Sequence, residues 1–300
     1  MKKENVLVSF SGGRTSAYMA KWLWDNCQDC FNMVFVFANT GLEDYETLGF
    51  VAECQRRFGF KIHMIEARIN LQKGVGTGYV EKEGFGYLTD PDKPLYDDDF
   101  KVIFESMTPF EQMVVKYGLP NPAFPHCTRE LKTVPIRKFG QNYFGTNDFY
   151  QAIGIRIDEI DRMSVYAKEK KLIYPLVRLK VTQKKVDDFW SKQNFDLRLE
   201  HHEGNCVMCW KKDHRKLNIL LKEKYHYAKH FHNLELKYKF HYVNKPILDE
   251  WGDEVPILMY RGHKSIDDIS KMQVTKEEVL AIRKSKQESC DIHSECGIDN

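Results

Sequence analysis

The sequence predicts an α/β protein with a doubly wound, mostly parallel sheet and a smaller, mainly helical C-terminal region that carries cysteines. Apolar runs of strand length, beginning at Val6 (VLVSF) and at Met33 (MVFVFA), alternate with segments of helical spacing. Past Phe195 the composition shifts toward His, Lys and aromatic residues. We therefore expect an α/β domain over residues 1–195 and a helical region over residues 196–300.

The composition narrows the class of protein. A chain of 300 residues with 42% hydrophobic and 29% charged residues can bury a full core. A formal net charge of +2 does not indicate broad nucleic-acid binding by charge alone, but it is compatible with a local basic patch. No signal peptide or membrane-spanning run is visible, so we expect a cytoplasmic protein with no membrane partner. Eight cysteines in that compartment stay reduced, which favours metal or redox chemistry over disulfides.

A glycine turn joins the first strand to the first helix. Such a turn leaves backbone N–H groups without a helical partner, and an anion can accept their hydrogen bonds. Gly12 and Gly13 allow close approach of a ligand to the backbone, and the hydroxyls of Ser11, Thr15 and Ser16 add donors. The alternative is an ordinary strand-to-helix turn capped by serine. The turn is neither a Walker A loop, because no lysine follows the second glycine, nor a G-x-G-x-x-G fingerprint.

The following elements repeat the alternation of strand and helix. A helix over residues 44–58 leads to a third strand over residues 61–66. Residues 70–101 are rich in Gly, Asp and Pro, and a compact domain tolerates such a stretch only as a functional loop or lid. Further helices are expected after Thr108, which suits an N-cap before Pro109, and from Thr128.

Polar clusters follow two of the predicted strands. Asn39, Thr40 and Gly41 come directly after the second strand. Arg156 follows the strand predicted over residues 149–155. Because ligands of open α/β sheets bind beyond the carboxyl ends of the strands, we expect both clusters to lie near the glycine turn.

Six motifs occur in the order seen in one enzyme family: SFSGGRTS, FANTGLEDYETL, CTRELKTVP, GIRIDE, YPL and GNCVMCWKK, between residues 6 and 212. The sequence thus resembles the phosphoadenosine phosphosulfate (PAPS) reductase family of the adenine nucleotide alpha-hydrolase-like, or PP-loop ATP pyrophosphatase, superfamily. The resemblance implies a doubly wound α/β domain that binds an adenine nucleotide, which is PAPS, adenylyl sulfate (APS) or ATP. Its phosphates are expected on the glycine turn.

The resemblance also implies which residues form the site. The nucleotide-binding set is Ser9, Phe10, Ser11, Gly12, Gly13, Arg14, Thr15 and Ser16, with Asn39, Thr40, Gly41 and Gly154 nearby. Lys132 and Arg156 become candidate catalytic ligands of the reacting anion, with Arg129 as a further candidate, since sulfate and phosphate require fixed cationic donors. For Lys132 and Arg129 the alternative is a solvated helix face.

The cysteines point to a metal or cluster site. Cys206 and Cys209 form a C-x-x-C pair, and Cys127 resembles a cluster cysteine of the iron–sulfur branch of sulfonucleotide reductases. Thr128 stands where that branch has a second cysteine. The fourth ligand is drawn from Cys290, Cys296 or His126, or the site is open to substrate. We expect a [4Fe–4S] cluster held by Cys127, Cys206, Cys209 and Cys290, with zinc, a reduced dithiol and simple burial as alternatives.

The C-terminal tail carries a candidate nucleophile. ECGI, at residues 295–298, resembles the motif in which sulfonucleotide reductases carry their reactive cysteine, although Asp299 replaces the family's histidine. A Cys296 thiolate can attack the sulfur of an adenylyl sulfate and leave a thiosulfonate for thioredoxin or glutaredoxin to reduce. The alternative is a metal-binding or disordered tail.

Two enzymatic functions follow from these motifs. The first is reduction of PAPS or APS through Cys296, with Arg156 and Lys132 at the reacting group. The alternative is an ATP-dependent sulfurtransferase that adenylates tRNA or DNA and releases pyrophosphate. Both glycines of the turn are kept, as in the ATP-pyrophosphatase branch, but Thr15 replaces the usual aspartate. A nucleotide-sensing protein without turnover is the non-enzymatic alternative.

Overall fold

The computed structural model describes residues 3–82, 108–204 and 206–284. Its strands are β1 (Glu4–Ser9), β2 (Phe31–Asn39), β3 (Ile62–Arg68), β4 (Gly78–Lys82), β5 (Tyr150–Ala152) and β6 (Leu172–Ile173). They form one sheet in the order β4-β3-β2-β1-β5-β6. Only the β3–β4 pair is antiparallel among these strands.

Helices connect and cover the strands. They are α1 (Arg14–Cys27), α2 (Tyr45–Phe58), α3 (Pro109–Tyr117), α4 (His126–Thr128), α5 (Val134–Phe144), α6 (Pro175–Arg178), α7 (Gln183–Trp190), α8 (His214–Glu223), α9 (Tyr225–Tyr238), α10 (Ile266–Ser270) and α11 (Lys276–Lys284). A π-helical turn (Arg129–Thr133) joins α4 to α5, and a 3-10 helix (Ile157–Arg162) follows β5. No helix within the described ranges has the length and hydropathy needed to cross a membrane.

The central strands are buried on both faces, which confirms the doubly wound α/β class. Val8 and Phe37 pack into a core that includes residues of α1, α2 and α7. Leu7 and Val36 point to the opposite face and pack against residues of α5. Successive side chains of a strand point to opposite faces of the sheet, and both faces are covered by apolar layers here. The sequences of these strands are therefore continuous hydrophobic runs rather than alternating patterns.

One element departs from the predicted loop after β3. Residues 78–82 of the stretch predicted as a loop or lid form β4, an antiparallel edge strand. Its sequence, GYVEK, is short and mixed in polarity, and Val80 is exposed, because an edge strand buries little of its surface. That is why the hydrophobic pattern did not reveal it. The remainder of the predicted lid, residues 83–101, lies outside the described residues.

The helix boundaries follow from local chemistry. The Thr108 hydroxyl accepts a hydrogen bond from the Glu111 N–H at 3.2 Å, which confirms the predicted N-cap. Asp44 caps α2 by accepting the Glu46 N–H at 3.0 Å. The helix predicted from Thr128 begins at His126 instead and passes through the π-helical turn before α5.

A second hydrophobic core lies under the C-terminal helices. It joins residues of α3, α8, α9 and α10 to the segment around Val207 and Met208. Leu42 and Leu131, from the α/β part of the chain, also belong to it. Conversely, Leu197 packs into the core around α1. The domain boundary predicted between residues 195 and 196 stays a prediction. Residues before this boundary pack into the C-terminal core, and residues after it pack into the core of the α/β part.

Candidate functional site

A cavity of about 260 Å³ lies at the carboxyl edge of the central strands. All of residues 9–16 line one side of it, and Thr40 and Gly154 also contribute. The lining further includes Cys127, Lys132, Cys206 and Cys209. The glycine turn therefore lines the same cavity as those predicted metal-ligating cysteines that lie within the described residues.

The glycine turn has a fixed backbone shape. Gly12 has φ of +83°, and a Cβ there would lie 2.5 Å from the Thr47 methyl carbon, so only glycine fits. The Ser16 hydroxyl accepts the Ser11 N–H at 3.1 Å and donates to the Gly13 carbonyl at 3.0 Å. Gly13 is the N-cap of α1 and provides no side-chain cap. The start of α1 therefore presents the uncapped N–H groups that bind an anion.

The segment after β5 lies close against this turn. A Cβ on Gly154 would lie 3.1 Å from the Ser16 Cα, so the two backbones are nearly in contact. Gln151 donates a hydrogen bond to the Ser9 hydroxyl at 2.8 Å. The predicted contribution of Gly154 thus has a physical basis in close backbone packing beside the turn.

Arg156 lies behind the turn rather than among the residues that line the cavity. Its guanidinium donates to the Thr15 hydroxyl at 2.9 Å and lies 3.0 Å from the carboxylates of both Asp158 and Glu159. The residue is 4% exposed. Its predicted contact with the reacting anion stays a prediction. Arg162, which the motifs did not single out, lines the cavity and is paired with Glu159.

Lys132 reaches the cavity from the π-helical turn, an irregularity that is frequent at functional sites. Its ammonium lies 3.7 Å from the Glu43 carboxylate. Glu43 is buried and accepts hydrogen bonds from the Thr40 N–H at 2.9 Å and the Thr40 hydroxyl at 2.8 Å. Arg129 has an exposed side chain that is paired with Glu130, and it is not among the residues that line the cavity.

Asn39 and Gly41 shape the chain where β2 ends. Asn39 accepts the Gly41 N–H at 3.0 Å and donates to Glu66 at 2.9 Å. A Cβ on Gly41, whose φ is +84°, would lie 3.1 Å from Pro109. Neither residue is among those that line the cavity, and their predicted contacts with the nucleotide stay predictions.

The three described cysteines of the predicted metal site share the cavity wall. The Thr40 hydroxyl lies 3.4 Å from the Cys206 sulfur. Burial, and then the Glu43 carboxylate, raises the pKa of the Cys206 thiol to about 12. The Cys209 N–H donates to the Cys206 carbonyl at 3.2 Å, which forms the tight turn of the C-x-x-C pair. Cys290 and Cys296 lie outside the described residues.

Two lysines that follow the C-x-x-C pair were not predicted as site residues. Lys211 is buried and lines the cavity, with its ammonium 5.4 Å from the centre of the Trp210 ring. Lys212 donates to the Val207 carbonyl at 2.7 Å and the Glu203 carbonyl at 3.2 Å. The signal in the sequence was their position in GNCVMCWKK, where Trp210 and then two lysines follow the last cysteine.

Charged side chains tie the α/β part to the segment that carries the cysteines. Arg14 donates to the Asp196 carboxylate at 2.7 Å and to the Leu199 carbonyl at 3.1 Å. Lys224 lies 3.0 Å from Asp44 and 3.5 Å from Glu203. Burial acts to lower the pKa of Lys224, but these two carboxylates outweigh it and raise the pKa above its usual value. Lys224 therefore stays charged and holds the two parts together.

Comparison with known proteins assigns the class. Residues 5–83, which contain the glycine turn and the first four strands apart from Glu4, match the phosphoadenosine phosphosulfate reductase domain. Through this domain the chain belongs to the family, and the predicted resemblance to it is confirmed.

A full-length relative and a solved structure extend the comparison. The chain is 30% identical over 298 residues to the nin region protein ORF290 of Escherichia phage lambda, covering 95% of this chain and 94% of that protein. It is also similar to the U34-tRNA thiolase NcsA from Methanococcus maripaludis, solved with its [4Fe-4S] cluster. That match has 13% identity and a TM-score of 0.36, and it covers 92% of this chain and 82% of the thiolase.

Proposed function

We propose that the chain is an adenine-nucleotide-dependent sulfur-transfer enzyme whose nucleotide binds in the 260 Å³ cavity. The phosphates would lie on residues 9–16, where uncapped N–H groups of α1 and the adjacent hydroxyls can donate. The observation that carries the proposal is that this turn and the thiols of Cys127, Cys206 and Cys209 line the same cavity. Membership in the PAPS reductase family supports the same conclusion.

The charges at the cysteine wall favour ATP-dependent transfer over sulfate reduction. Of the two cations expected to bind a sulfate, Arg156 lies between two carboxylates, and Lys132 lies beside the buried Glu43. A sulfonucleotide depends on such cations to hold its sulfate, whereas the phosphates of ATP would be held by the N–H groups of the glycine turn. The carbonyl oxygen of an acceptor is uncharged and needs no such cation.

The chemistry then proceeds in two balanced steps. The acceptor's carbonyl oxygen attacks the α-phosphorus of ATP, so that a P–O bond forms while the bond to pyrophosphate breaks. A hydrosulfide donor next attacks the activated carbon, a C–S bond forms, and AMP leaves with the former carbonyl oxygen. Lys132, as a fixed cation at the wall, would stabilise the charge that develops on the phosphoryl oxygens.

The cysteine set, three thiols on one cavity wall, has the donor type that iron–sulfur clusters use. Within residues 3–82, 108–204 and 206–284, no three His, Cys, Asp or Glu side chains converge to hold one metal ion. A cluster binds its cysteines at separate irons, so its ligands need not converge on one point. Cys127, Cys206 and Cys209 would hold the cluster, which would supply an iron at which the transferred sulfur can bind.

Reduction of PAPS or APS remains the second candidate, supported by Lys211 and Lys132 on the cavity lining. The Cys296 thiolate would attack the sulfate sulfur, so that an S–S bond forms while the bond between sulfur and the phosphate oxygen breaks. A dithiol such as thioredoxin or glutaredoxin would then displace sulfite and become oxidised. This step depends on Cys296 in the C-terminal tail. Only the sequence supports a reactive cysteine there.

The test uses the anaerobically purified full chain. With ATP, hydrosulfide and unmodified tRNA or DNA, we expect release of AMP and pyrophosphate that depends on the acceptor. Cys206→Ser should stop sulfur incorporation, whereas Cys30→Ser, at an exposed cysteine beyond α1, should not. Iron analysis should show iron in the wild type and a loss of it in Cys206→Ser.

The same preparation distinguishes the alternatives. Sulfite release from PAPS or APS with thioredoxin, abolished by Cys296→Ser, would support the reductase and contradict the ATP-dependent reaction as the main one. Nucleotide binding with no turnover of ATP, PAPS or APS would contradict both and favour a nucleotide-sensing protein.

A further inference from the structure

A rigid loop before Cys127 presents an aromatic ring to solvent. Asn121 and Phe124 exchange backbone hydrogen bonds at 3.3 and 3.1 Å. The Asn121 side chain also accepts the Ala123 N–H at 2.9 Å, and its amide donates to the Leu119 carbonyl at 3.2 Å. Prolines on both sides of this turn restrict its backbone further. The ring of Phe124 is therefore held in place although 55% of the residue is exposed.

Phe124 is the outer member of a row of three rings. It stacks on His126 as a near-parallel pair, with ring centres 5.9 Å apart and an angle of 22° between the planes. His126 in turn contacts Tyr117, with centres 5.6 Å apart and planes at 31°. His126 directly precedes Cys127, which lines the cavity.

Cations accompany this row. The Lys116 ammonium lies 5.2 Å from the centre of the Tyr117 ring and donates to the Asn70 carbonyl at 2.5 Å. The loop that it holds carries Lys73, which is exposed. Arg129, two residues beyond Cys127, is exposed as well. The acid next to it, Glu130, is 1% exposed and is bonded by Arg129 and Thr77, so its charge is directed inward.

We propose that the exposed face of Phe124 is a stacking platform for an unpaired base of a nucleic-acid acceptor. The base would extend the row of rings, and Lys73, Lys116 and Arg129 would contact the adjoining phosphates. Fixed aromatic rings beside backbone-binding cations are how proteins hold single-stranded nucleic acid. This inference rests on the proposed function, for which it identifies the acceptor class and the surface that delivers the acceptor to the cysteine wall.

A second exposed ring provides the contrast and the control. Trp251 is 79% exposed at the tip of a hairpin in which Asp249 accepts the N–H groups of Trp251 and Asp253, each at 2.9 Å. Four acids surround this tip, namely Asp249, Glu250, Asp253 and Glu254. Repulsion of phosphate makes this ring unsuitable for a nucleic acid, although it is more exposed than Phe124.

The experiment measures binding of fluorescein-labelled single-stranded RNA and DNA, and of unmodified tRNA, to the full chain by anisotropy. We expect Phe124→Ala to weaken binding at least about fivefold, Phe124→Trp to retain it, and Trp251→Ala to leave it unchanged. Lys73→Gln should reduce the slope of log affinity against log salt by about one. Comparison of RNA with DNA identifies which acceptor is preferred.

The outcomes separate this inference from the proposed function. ATP binding, measured on the same variants by calorimetry, should stay unchanged in Phe124→Ala. If ATP binds but Phe124→Ala binds every nucleic acid as tightly as the wild type, the platform is wrong while the proposed function stands. The stacking platform would also be wrong if Trp251→Ala weakened nucleic-acid binding as much as Phe124→Ala does. Binding of a protein partner at Phe124 in place of nucleic acid would contradict it as well. Failure of wild-type ATP binding would instead reject the proposed function.

Discussion

Single residues at the glycine turn decide whether the site can form. Gly12 occupies a left-handed conformation against Thr47 and Phe37, whereas Gly13 has φ of −100° and open space around its missing side chain. The two neighbouring glycines therefore have different roles. Gly12 is required by the backbone of the turn, and Gly13 lines the cavity at the start of α1 without a side chain.

Alanine at these two positions should separate the roles. We expect Gly12→Ala to lower the free energy of unfolding by about 2–4 kcal/mol, because a left-handed residue with a Cβ is strained and the Cβ meets Thr47. Gly13→Ala is the matched control and should change stability by less than about 1 kcal/mol, since the nearest atom to its Cβ is 3.8 Å away. Urea unfolding curves measure both. Equal stability of the two variants would contradict this view of the turn.

His202 makes stability depend on pH. The ring is 1% exposed and lies 3.3 Å from Glu200, and burial lowers its pKa despite the nearby carboxylates. The unfolded chain therefore binds a proton more readily than the folded chain, so stability falls as pH drops below the usual histidine pKa of 6.5. His202→Gln should show a smaller loss of stability between about pH 7.5 and about pH 5.5. A loss equal to that of the wild type in urea unfolding would contradict the assignment.

At the scale of elements, Arg156 connects the 3-10 helix to the start of α1. It contacts Thr15 across 141 residues of sequence and is neutralised by Asp158 and Glu159 from its own helix. Such a network fixes the relative position of two elements that border the cavity. We infer that Arg156 is a positioning residue, whereas Lys132 and Lys211 line the cavity itself.

Removal of Arg156 tests this role. Arg156→Met should lower the free energy of unfolding by about 1–3 kcal/mol, because the buried Glu159 loses one of its two arginine partners and the Thr15 hydroxyl loses its donor. ATP affinity should fall together with stability as the turn loses its anchor at Thr15. If Arg156→Met unfolds like the wild type and only nucleotide affinity falls, Arg156 binds the ligand directly and the positioning role is wrong.

Much of the fold could be predicted from the sequence because its signals are local. The Thr108 cap, the apolar strands and the glycine turn are each encoded in a few adjacent residues. β4 was missed because an edge strand of mixed polarity lacks a hydrophobic pattern. The surroundings of Arg156 and the burial of Lys211 could not be predicted, since they depend on contacts between residues far apart in the chain.

At the scale of the whole molecule, the site lies between two hydrophobic cores. The sheet supplies the glycine turn, and the helical core holds the segment that carries Cys206 and Cys209. Lys224, between Asp44 and Glu203, and Arg14, at Asp196, link the two. Sulfur chemistry on a nucleotide-activated acceptor requires this arrangement, because the phosphates and the thiols must face one space.

The most direct test of the central claim is a crystal structure of the anaerobically purified chain with a non-hydrolysable ATP analogue. We expect the phosphates to accept hydrogen bonds from the backbone N–H groups of residues 12–16. The α-phosphorus should face Lys132 and the wall formed by Cys127, Cys206 and Cys209. A nucleotide bound outside this cavity, or bound with its phosphates directed away from the glycine turn, would contradict the account.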